Sequence, residues 1–179
     1  MLIKILIGLA VLVALLVVLV AVQPSEFKVT RTATVAAPPS AVFAQVNDFH
    51  KWEAWSPWAK LDPAARNTFE GAPAGTGAGF AWAGNSKVGE GRMTIVESRP
   101  NELVRIKLEF LKPFAATNTA EFTFKPEGDR TQVTWSMFGR NNFVGKAVCL
   151  VMNMDKTLGG EFDKGLAAMK SVAEPAAKN

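Results

Sequence analysis

Hydrophobic and polar residues divide the chain into an apolar N-terminal segment and a longer region of mixed, periodic character. Residues 5–22 form an uninterrupted apolar run. About 18 residues of α-helix span about 27 Å, close to the thickness of the hydrocarbon core of a bilayer. Lys4 precedes the run, and its long aliphatic side chain allows the ammonium group to reach the headgroups. The pattern predicts a transmembrane anchor over residues 1–23 and a polar linker at 24–26.

A cleaved secretory signal is the alternative interpretation of this segment. The apolar region of such a signal is usually about 7–15 residues long and ends in a small-x-small site. The run here is longer, and it ends at Ala21, Val22 and Gln23 without that pattern. The sequence therefore favours an anchor that is not removed.

The charges beside the apolar run give opposing signals for its orientation. Lys4 and the α-amino group favour a cytoplasmic N-terminus, whereas Lys28 and Arg31 favour the reverse. We expect a single-pass membrane protein whose soluble domain is extracytoplasmic.

Beyond the linker, apolar residues first alternate with polar ones and then recur with helical spacing. Alternation over 27–35 predicts a strand, which Pro38-Pro39 ends. The apolar spacing after Ser40 predicts an amphipathic helix. Residues 62–91 are rich in Gly, Ala and Pro and predict short strands and turns.

The region 91–140 predicts four strands, separated by turn or breaker residues at Pro100-Asn101, Lys112-Pro113 and Glu127–Asp129. In each strand the apolar residues occupy alternate positions. Strict alternation of this kind indicates an antiparallel sheet with one covered face.

A long amphipathic helix is predicted from about Lys146 to Glu174. Its apolar stripe recurs every three or four residues: Val151, Met154, Leu158, Phe162, Leu166, Met169 and Val172. The apolar face of the sheet is the expected partner of this stripe. Gly159-Gly160 lies mid-helix, where each glycine costs about 1 kcal/mol relative to alanine, so the pair predicts a close approach or a bend.

Three stretches of the chain resemble the SRPBCC superfamily, which includes START, Bet v 1-like and polyketide cyclase/dehydrase-like proteins. Residues 36–43 look like the strand-to-helix entry of that family, 47–58 like its aromatic first-helix ending, and 158–173 like its C-terminal helix. The resemblance covers residues 27–174. It implies an α+β helix-grip fold, in which a curved antiparallel sheet wraps around a long C-terminal helix and leaves a cavity between them. Residues 175–179 are then expected to be a disordered tail.

The implied cavity is lined by inward-facing residues of the sheet and the last helix. The predicted set is Trp82, Met93, Ile95, Glu97, Ile106, Leu108, Phe110, Asn118, Phe122, Phe124, Trp135, Met137, Leu158, Phe162 and Met169. An alternative is that these apolar side chains simply fill the core. Three tryptophans, Trp52, Trp55 and Trp58, are expected to cap the core near the cavity entrance, with contact to a membrane interface as the alternative.

Glu97 and Asn118 are the polar members of that set. Their positions in the alternation place them with apolar neighbours on the covered face. An inward carboxylate has a raised pKa and can act as an acid or base, whereas a glutamate at a strand end reaches water. Asn118 is suited either to orienting a ligand carbonyl or to satisfying backbone groups.

Composition argues against several other kinds of site. The chain has one histidine, His50, and one cysteine, Cys149, so no metal site, cofactor or Cys–His catalytic pair is predicted. The formal net charge is +4, and the basic residues are interleaved with acidic ones. Nucleic-acid binding, which requires a basic stripe or patch, is not expected.

Three functions remain open at this point. The first is a binding protein for a hydrophobic small molecule (a lipid, a quinone or a polyketide-like compound) held at the membrane. The second is a cyclase or dehydratase that uses the same cavity and needs a buried acid or base. The third is a protein-interaction domain, which would present a large exposed apolar patch.

Overall fold

The computed structural model describes residues 1–176 and contains four α-helices, one 3-10 helix and seven strands. Residues 177–179 of the predicted tail lie outside the described residues. The elements are α1 (Leu2–Ala21), β1 (Glu26–Val35), α2 (Pro39–Val46), the 3-10 helix (Phe49–Ala54), β2 (Arg66–Gly71), β3 (Ala78–Ala83), β4 (Glu90–Arg99), β5 (Leu103–Lys112), β6 (Ala116–Glu127), β7 (Arg130–Arg140), α3 (Phe143–Val151) and α4 (Met154–Ala176).

The seven strands form one antiparallel sheet in the order β1-β7-β6-β5-β4-β3-β2. The prediction of an α+β helix-grip fold is therefore confirmed. Consecutive strands from β2 to β7 are neighbours in the sheet and are joined by short connections. β1 instead crosses to the far edge and pairs with β7, which leaves α2 and the 3-10 helix on the concave side.

One end of this sheet is fixed beside α1 by the chain itself. Residues 22–25 connect α1 to β1, and four residues reach at most about 14 Å. The backbone N–H of Asn141 donates to the carbonyl of Ser25 at 2.6 Å, and Lys146 Nζ donates to the carbonyl of Ala21 at 3.0 Å. We call this the α1 end of the sheet. It comprises the start of β1, the end of β7 and the β5–β6 turn.

The C-terminal segment forms two helices where one was predicted. The break lies at Met152-Asn153, because Met152 has an extended backbone and the Asn153 side chain accepts from the N–H of Lys156 at 2.9 Å, which caps α4. Val151 is 82% exposed and does not belong to the apolar stripe. The stripe of α4 therefore starts later than predicted, and its buried members are Phe162, Leu166 and Met169.

The two glycines of α4 have different surroundings. A Cβ built at Gly159 would overlap the guanidinium of Arg31, whereas a Cβ at Gly160 would meet nothing within 4 Å. Arg31 comes from β1 and donates to the carboxylate of Asp155 at 2.9 Å and to that of Asp163 at 3.2 Å. Gly159 thus permits the close approach of Arg31. Helix α4 continues through Gly159-Gly160, so the two glycines do not interrupt it.

These ion pairs fix the direction of two pKa shifts. Hydrogen bonding from Arg31 lowers the pKa of Asp155 below its usual 3.8, and the same bond raises the pKa of Arg31. Because the folded carboxylate has the lower pKa, its contribution to stability is complete at neutral pH. That contribution is lost as the pH falls through the lowered pKa.

We expect Gly160→Ala to stabilise the protein and Gly159→Ala to do so less, or not at all. The gain at Gly160 is about 1 kcal/mol from helix propensity. At Gly159 the same gain is offset because Arg31 must leave its carboxylate partners. Denaturant unfolding of the full chain in detergent measures both changes.

Arg31→Ala supplies the control for this comparison. In that background the two alanine substitutions should stabilise α4 equally. If Gly159→Ala remains inferior without the Arg31 side chain, the close approach is not the reason for the glycine.

Candidate functional site

Most of the predicted lining residues do lie on the concave side of the sheet or on the facing side of α4. The apolar ones are buried or half-buried parts of one hydrophobic core, and Asn118 is a buried polar residue. This set comprises Trp82, Met93, Ile95, Ile106, Leu108, Phe110, Asn118, Phe122, Phe124, Trp135, Met137, Leu158, Phe162 and Met169. Whether a ligand contacts them is a separate question, which depends on how completely they fill the space.

The inward position predicted for Glu97 is wrong. A β-bulge between Ile95 and Glu97 shifts the register, so that Ile95 pairs with Ile106 but Glu97 pairs with Arg105. The extra residue, Val96, reverses the alternation, and Glu97 lies on the convex face. There it forms ion pairs with Arg105 and, at 3.4 Å, with Arg99.

Arg105 joins two carboxylates on this convex face. Its guanidinium also donates to Glu121 at 2.8 Å, and this bond, more than the contact with Glu97, raises the pKa of Arg105. Such half-exposed ion pairs contribute little to stability. The inward-facing positions of β3–β7 carry no acidic or basic side chain among the described residues.

Aromatic side chains fill the centre of the space between sheet and α4. Trp135 stacks on Phe162 of α4 with ring centroids 4.1 Å apart, and on Phe122 of the neighbouring strand at 4.8 Å. Trp55 and Trp58 meet Trp135 edge to face. In this region the predicted cavity is occupied by the protein itself.

The three tryptophans of residues 52–58 belong to this cluster. Trp52 and Trp55 are buried, and Trp58 is half-buried against Trp135 and Phe162. They pack in the core itself, where Phe122 contacts both Trp52 and Trp55. None of them lies free for contact with a membrane.

The indole N–H of Trp135 differs from those of the neighbouring tryptophans. It is buried and has no hydrogen-bond partner among the described residues. By contrast, Trp52 donates to the carbonyl of Val46, Trp55 to that of Gln45 and Trp82 to that of Val88, each at 3.0 Å. An unpaired buried donor costs about 1–3 kcal/mol, so a ligand acceptor placed there would recover that energy.

Burial of the concave face decreases steadily toward the α1 end. On β5, Val104 and Ile106 are fully buried, Leu108 is 9% exposed, and Phe110 is half-exposed. The same gradient runs along β7 from Val133 to Gly139. The neighbouring strands add half-buried apolar side chains at this end, namely Phe27, Trp82 and Met93. The concave face is therefore less completely covered toward α1, and we call this less buried part, which includes Met93, Phe110, Asn118 and Met137, the apolar trough.

Asn118 is the polar side chain in this trough. It is 9% exposed, lies opposite Gly139 and has Leu108 as its neighbour on β5. A Cβ at position 139 would overlap its amide oxygen, so Gly139 makes room for the amide. No hydrogen bond of the Asn118 side chain is found among the described residues, so the amide is free to pair with a polar group of a ligand.

Two cavities elsewhere on the surface do not involve this trough. One, of about 110 Å³, is lined by residues of the 3-10 helix, β2 and β3, including His50 and Phe69. The other, of about 370 Å³, is open to solvent and is lined by Gln45, His50 and Lys51 among others. His50 itself stacks on Phe69 and contacts Asp48 at 2.9 Å. No group of three metal-ligating side chains occurs within residues 1–176.

Sequence reasoning missed the unpaired N–H of Trp135, the bulge at Val96 and the role of Gly139. The first two depend on which atoms meet in three dimensions, and no sequence signal identifies them. Gly139 had a signal, since a glycine inside a strand suggests a close approach by another group.

A family model described as "Polyketide cyclase / dehydrase and lipid transport" matches residues 26–174. The chain belongs to this family. The match covers the whole sheet and all but the end of α4, in agreement with the resemblance found in the sequence. No curated protein matches the chain.

Solved structures with the same fold are distant in sequence. A Staphylococcus aureus protein of unknown function aligns with a TM-score of 0.64 and 13% identity, over 88% of this chain and 99% of its own. The di-domain ARO/CYC protein StfQ of the steffimycin biosynthetic pathway aligns with a TM-score of 0.63 and 15% identity, over 87% of this chain and 53% of its own. A Thermobifida fusca protein aligns with a TM-score of 0.60 and 21% identity, over 80% of this chain and 90% of its own. At such identities the likeness establishes the fold alone.

We expect Trp135→Phe to cost less stability than Trp55→Phe in the ligand-free protein. Both remove the same atoms from one aromatic cluster, but only Trp55→Phe leaves a buried carbonyl, that of Gln45, without its donor. The difference should be about 1 kcal/mol or more, because losing one partner of a buried hydrogen bond is costly whereas losing an unpaired donor is not.

Denaturant unfolding of the two variants side by side measures this difference. Equal losses, or a larger loss for Trp135→Phe, would show that the Trp135 N–H already has a partner in the folded protein.

Proposed function

We propose that this member of the polyketide cyclase/dehydrase and lipid transport family binds a hydrophobic small molecule at the α1 end of the concave face. The class of ligand is a lipid, a quinone or a polyketide-like compound with at least one hydrogen-bond acceptor. The observation that carries this proposal is the buried N–H of Trp135, which has no partner among the described residues, on a concave face whose less buried end contains the Asn118 amide. Ligand sites of this kind are mostly apolar, with a few polar groups that fix orientation.

The filled centre of the core restricts where such a ligand lies. An enclosed cavity beneath α4 is not available around Trp135 and Phe162. The ligand instead occupies the trough between Phe110, Met93 and Met137, where burial is incomplete, and extends toward the Trp135 N–H. Reaching that group requires a movement of the side chains that separate it from the trough.

Helix α1 supplies the membrane part of the proposal. It is 20 residues long, uncharged apart from Lys4, and almost entirely exposed in the described structure. Its length and composition suit a membrane span, although a secretory signal shares these properties. We take it as an uncleaved anchor with the domain on the extracytoplasmic side. Tethering then raises the local concentration of membrane-derived ligands at the trough.

A cyclase or dehydratase activity is less well supported. Its candidate acid or base was Glu97, which lies on the convex face in ion pairs. An enzyme using the trough would have to act through Asn118 and Trp135, neither of which titrates near neutral pH. The StfQ protein shares the fold, and the name of its activity describes that protein only.

Native mass spectrometry of the full chain, extracted from the membranes in which it is made, tests the proposal. We expect a bound adduct of lipid-like mass that is retained by the wild-type chain and by Trp55→Phe. Trp135→Phe should retain roughly fivefold less, because one hydrogen bond contributes about 1 kcal/mol to affinity.

Glu97→Gln serves as a second control and should retain the adduct fully. Absence of any adduct from the wild-type chain, or equal retention by all variants, would contradict ligand binding at Trp135. Loss of the adduct on Glu97→Gln would contradict the assignment of the site to the concave face.

A further inference from the structure

Helix α3 presents an apolar surface that no described residue covers. The exposed side chains are Phe143, Val144, Leu150 and Val151, with exposed fractions from 39% to 82%. The last three follow Phe143 by one, seven and eight residues, which places all four on one face of the helix. Helix α3 also contacts α1, and its Lys146 donates to the carbonyl of Ala21. The four exposed side chains therefore form an apolar surface that remains free although α3 is held against α1.

The end of β5 and the β5–β6 turn add two more exposed apolar side chains at the same end of the sheet. Leu111 is 60% exposed and Phe114 is 62% exposed. Register places them at the end of the sheet from which α3 leaves, because Asn118 near the start of β6 pairs with Gly139 at the end of β7. We call Leu111, Phe114, Phe143, Val144, Leu150 and Val151 the docking face.

Charge around the docking face is nearly balanced. Residues 110–120 and 139–152 contain Lys112, Arg140 and Lys146 and no aspartate or glutamate. Lys112 pairs with Glu90 at 2.8 Å, and Glu26 lies opposite Arg140 in the register, so the excess of positive charge is small. The exposed apolar area, more than the charge, therefore suits the boundary between acyl chains and headgroups.

Connection to α1 identifies the occupant of the docking face. The short linker at 22–25 and the contacts of α3 with α1 hold the docking face next to the point where α1 ends. A bilayer that contains α1 has its surface at that point. Because α1 already holds the domain at the membrane, contact between the docking face and the lipid carries no further entropy cost of association.

We propose that the docking face inserts into the surface of the membrane that α1 spans, and so orients the domain. This inference rests on the proposed anchoring by α1. With the docking face in the headgroup region, the α1 end of the sheet, and with it the apolar trough of Phe110, Met93 and Asn118, faces the lipid. A hydrophobic ligand then passes between bilayer and trough without crossing water.

Spin labels on the full chain test this orientation. In a Cys149→Ser background, single labels are placed by Phe114→Cys and Leu150→Cys on the docking face, Asp129→Cys at the opposite end of the sheet, and Leu12→Cys within α1. The protein is reconstituted in vesicles of phosphatidylcholine and phosphatidylglycerol. Collision with oxygen, which concentrates in lipid, is compared with collision with a water-soluble nickel chelate.

We expect the labels at 12, 114 and 150 to favour oxygen and the label at 129 to favour the nickel chelate. If the label at 12 favours oxygen but those at 114 and 150 favour nickel, the docking face is overturned while anchoring stands. If the label at 12 also favours nickel, anchoring fails and the docking face fails with it. A label at 129 that favours oxygen would overturn the orientation.

Discussion

Stacking between Trp135 and Phe162 joins the sheet to α4, and the arrangement of the interior follows from it. The two rings are nearly parallel, with centroids 4.1 Å apart, and they join β7 to α4. Large aromatic side chains bury much apolar surface and prefer a few relative orientations. The stack therefore sets the distance of α4 from the sheet, and Trp55, Trp58 and Phe122 pack around it.

That packing divides the concave face into two parts with different properties. The part beneath α2 and the 3-10 helix is the more deeply buried and contributes stability. The part at the α1 end keeps half-exposed apolar side chains and the Asn118 amide, for which no hydrogen bond is found within residues 1–176. A protein interior normally pairs its buried polar groups, so the indole N–H of Trp135, which has no partner among the described residues, indicates a position of reduced stability.

The same end of the sheet is where the chain enters α1 and where α3 leaves the sheet. One short linker thus brings three features together, namely the apolar trough, the exposed apolar face of α3 and the membrane-length helix. Their juxtaposition is a consequence of topology. Strands β1 and β7 are antiparallel neighbours, so the start of β1 and the end of β7 must lie at the same end of the sheet.

The strand and helix periods of the sequence were sufficient to predict an antiparallel sheet whose apolar face is covered by a long C-terminal helix, and the resemblance to the SRPBCC superfamily implied the helix-grip arrangement of the two. They also placed Ile106, Phe122 and Phe162 correctly on the covered side. The alternation failed at Glu97, since one bulged residue reverses every side chain after it and leaves no mark in composition. Asn153 ended the predicted single helix by capping α4, which local spacing did not reveal. Which polar groups remain unpaired, and how far the aromatic cluster fills the space beneath α4, were decided only by tertiary packing, because both depend on contacts between residues far apart in the chain.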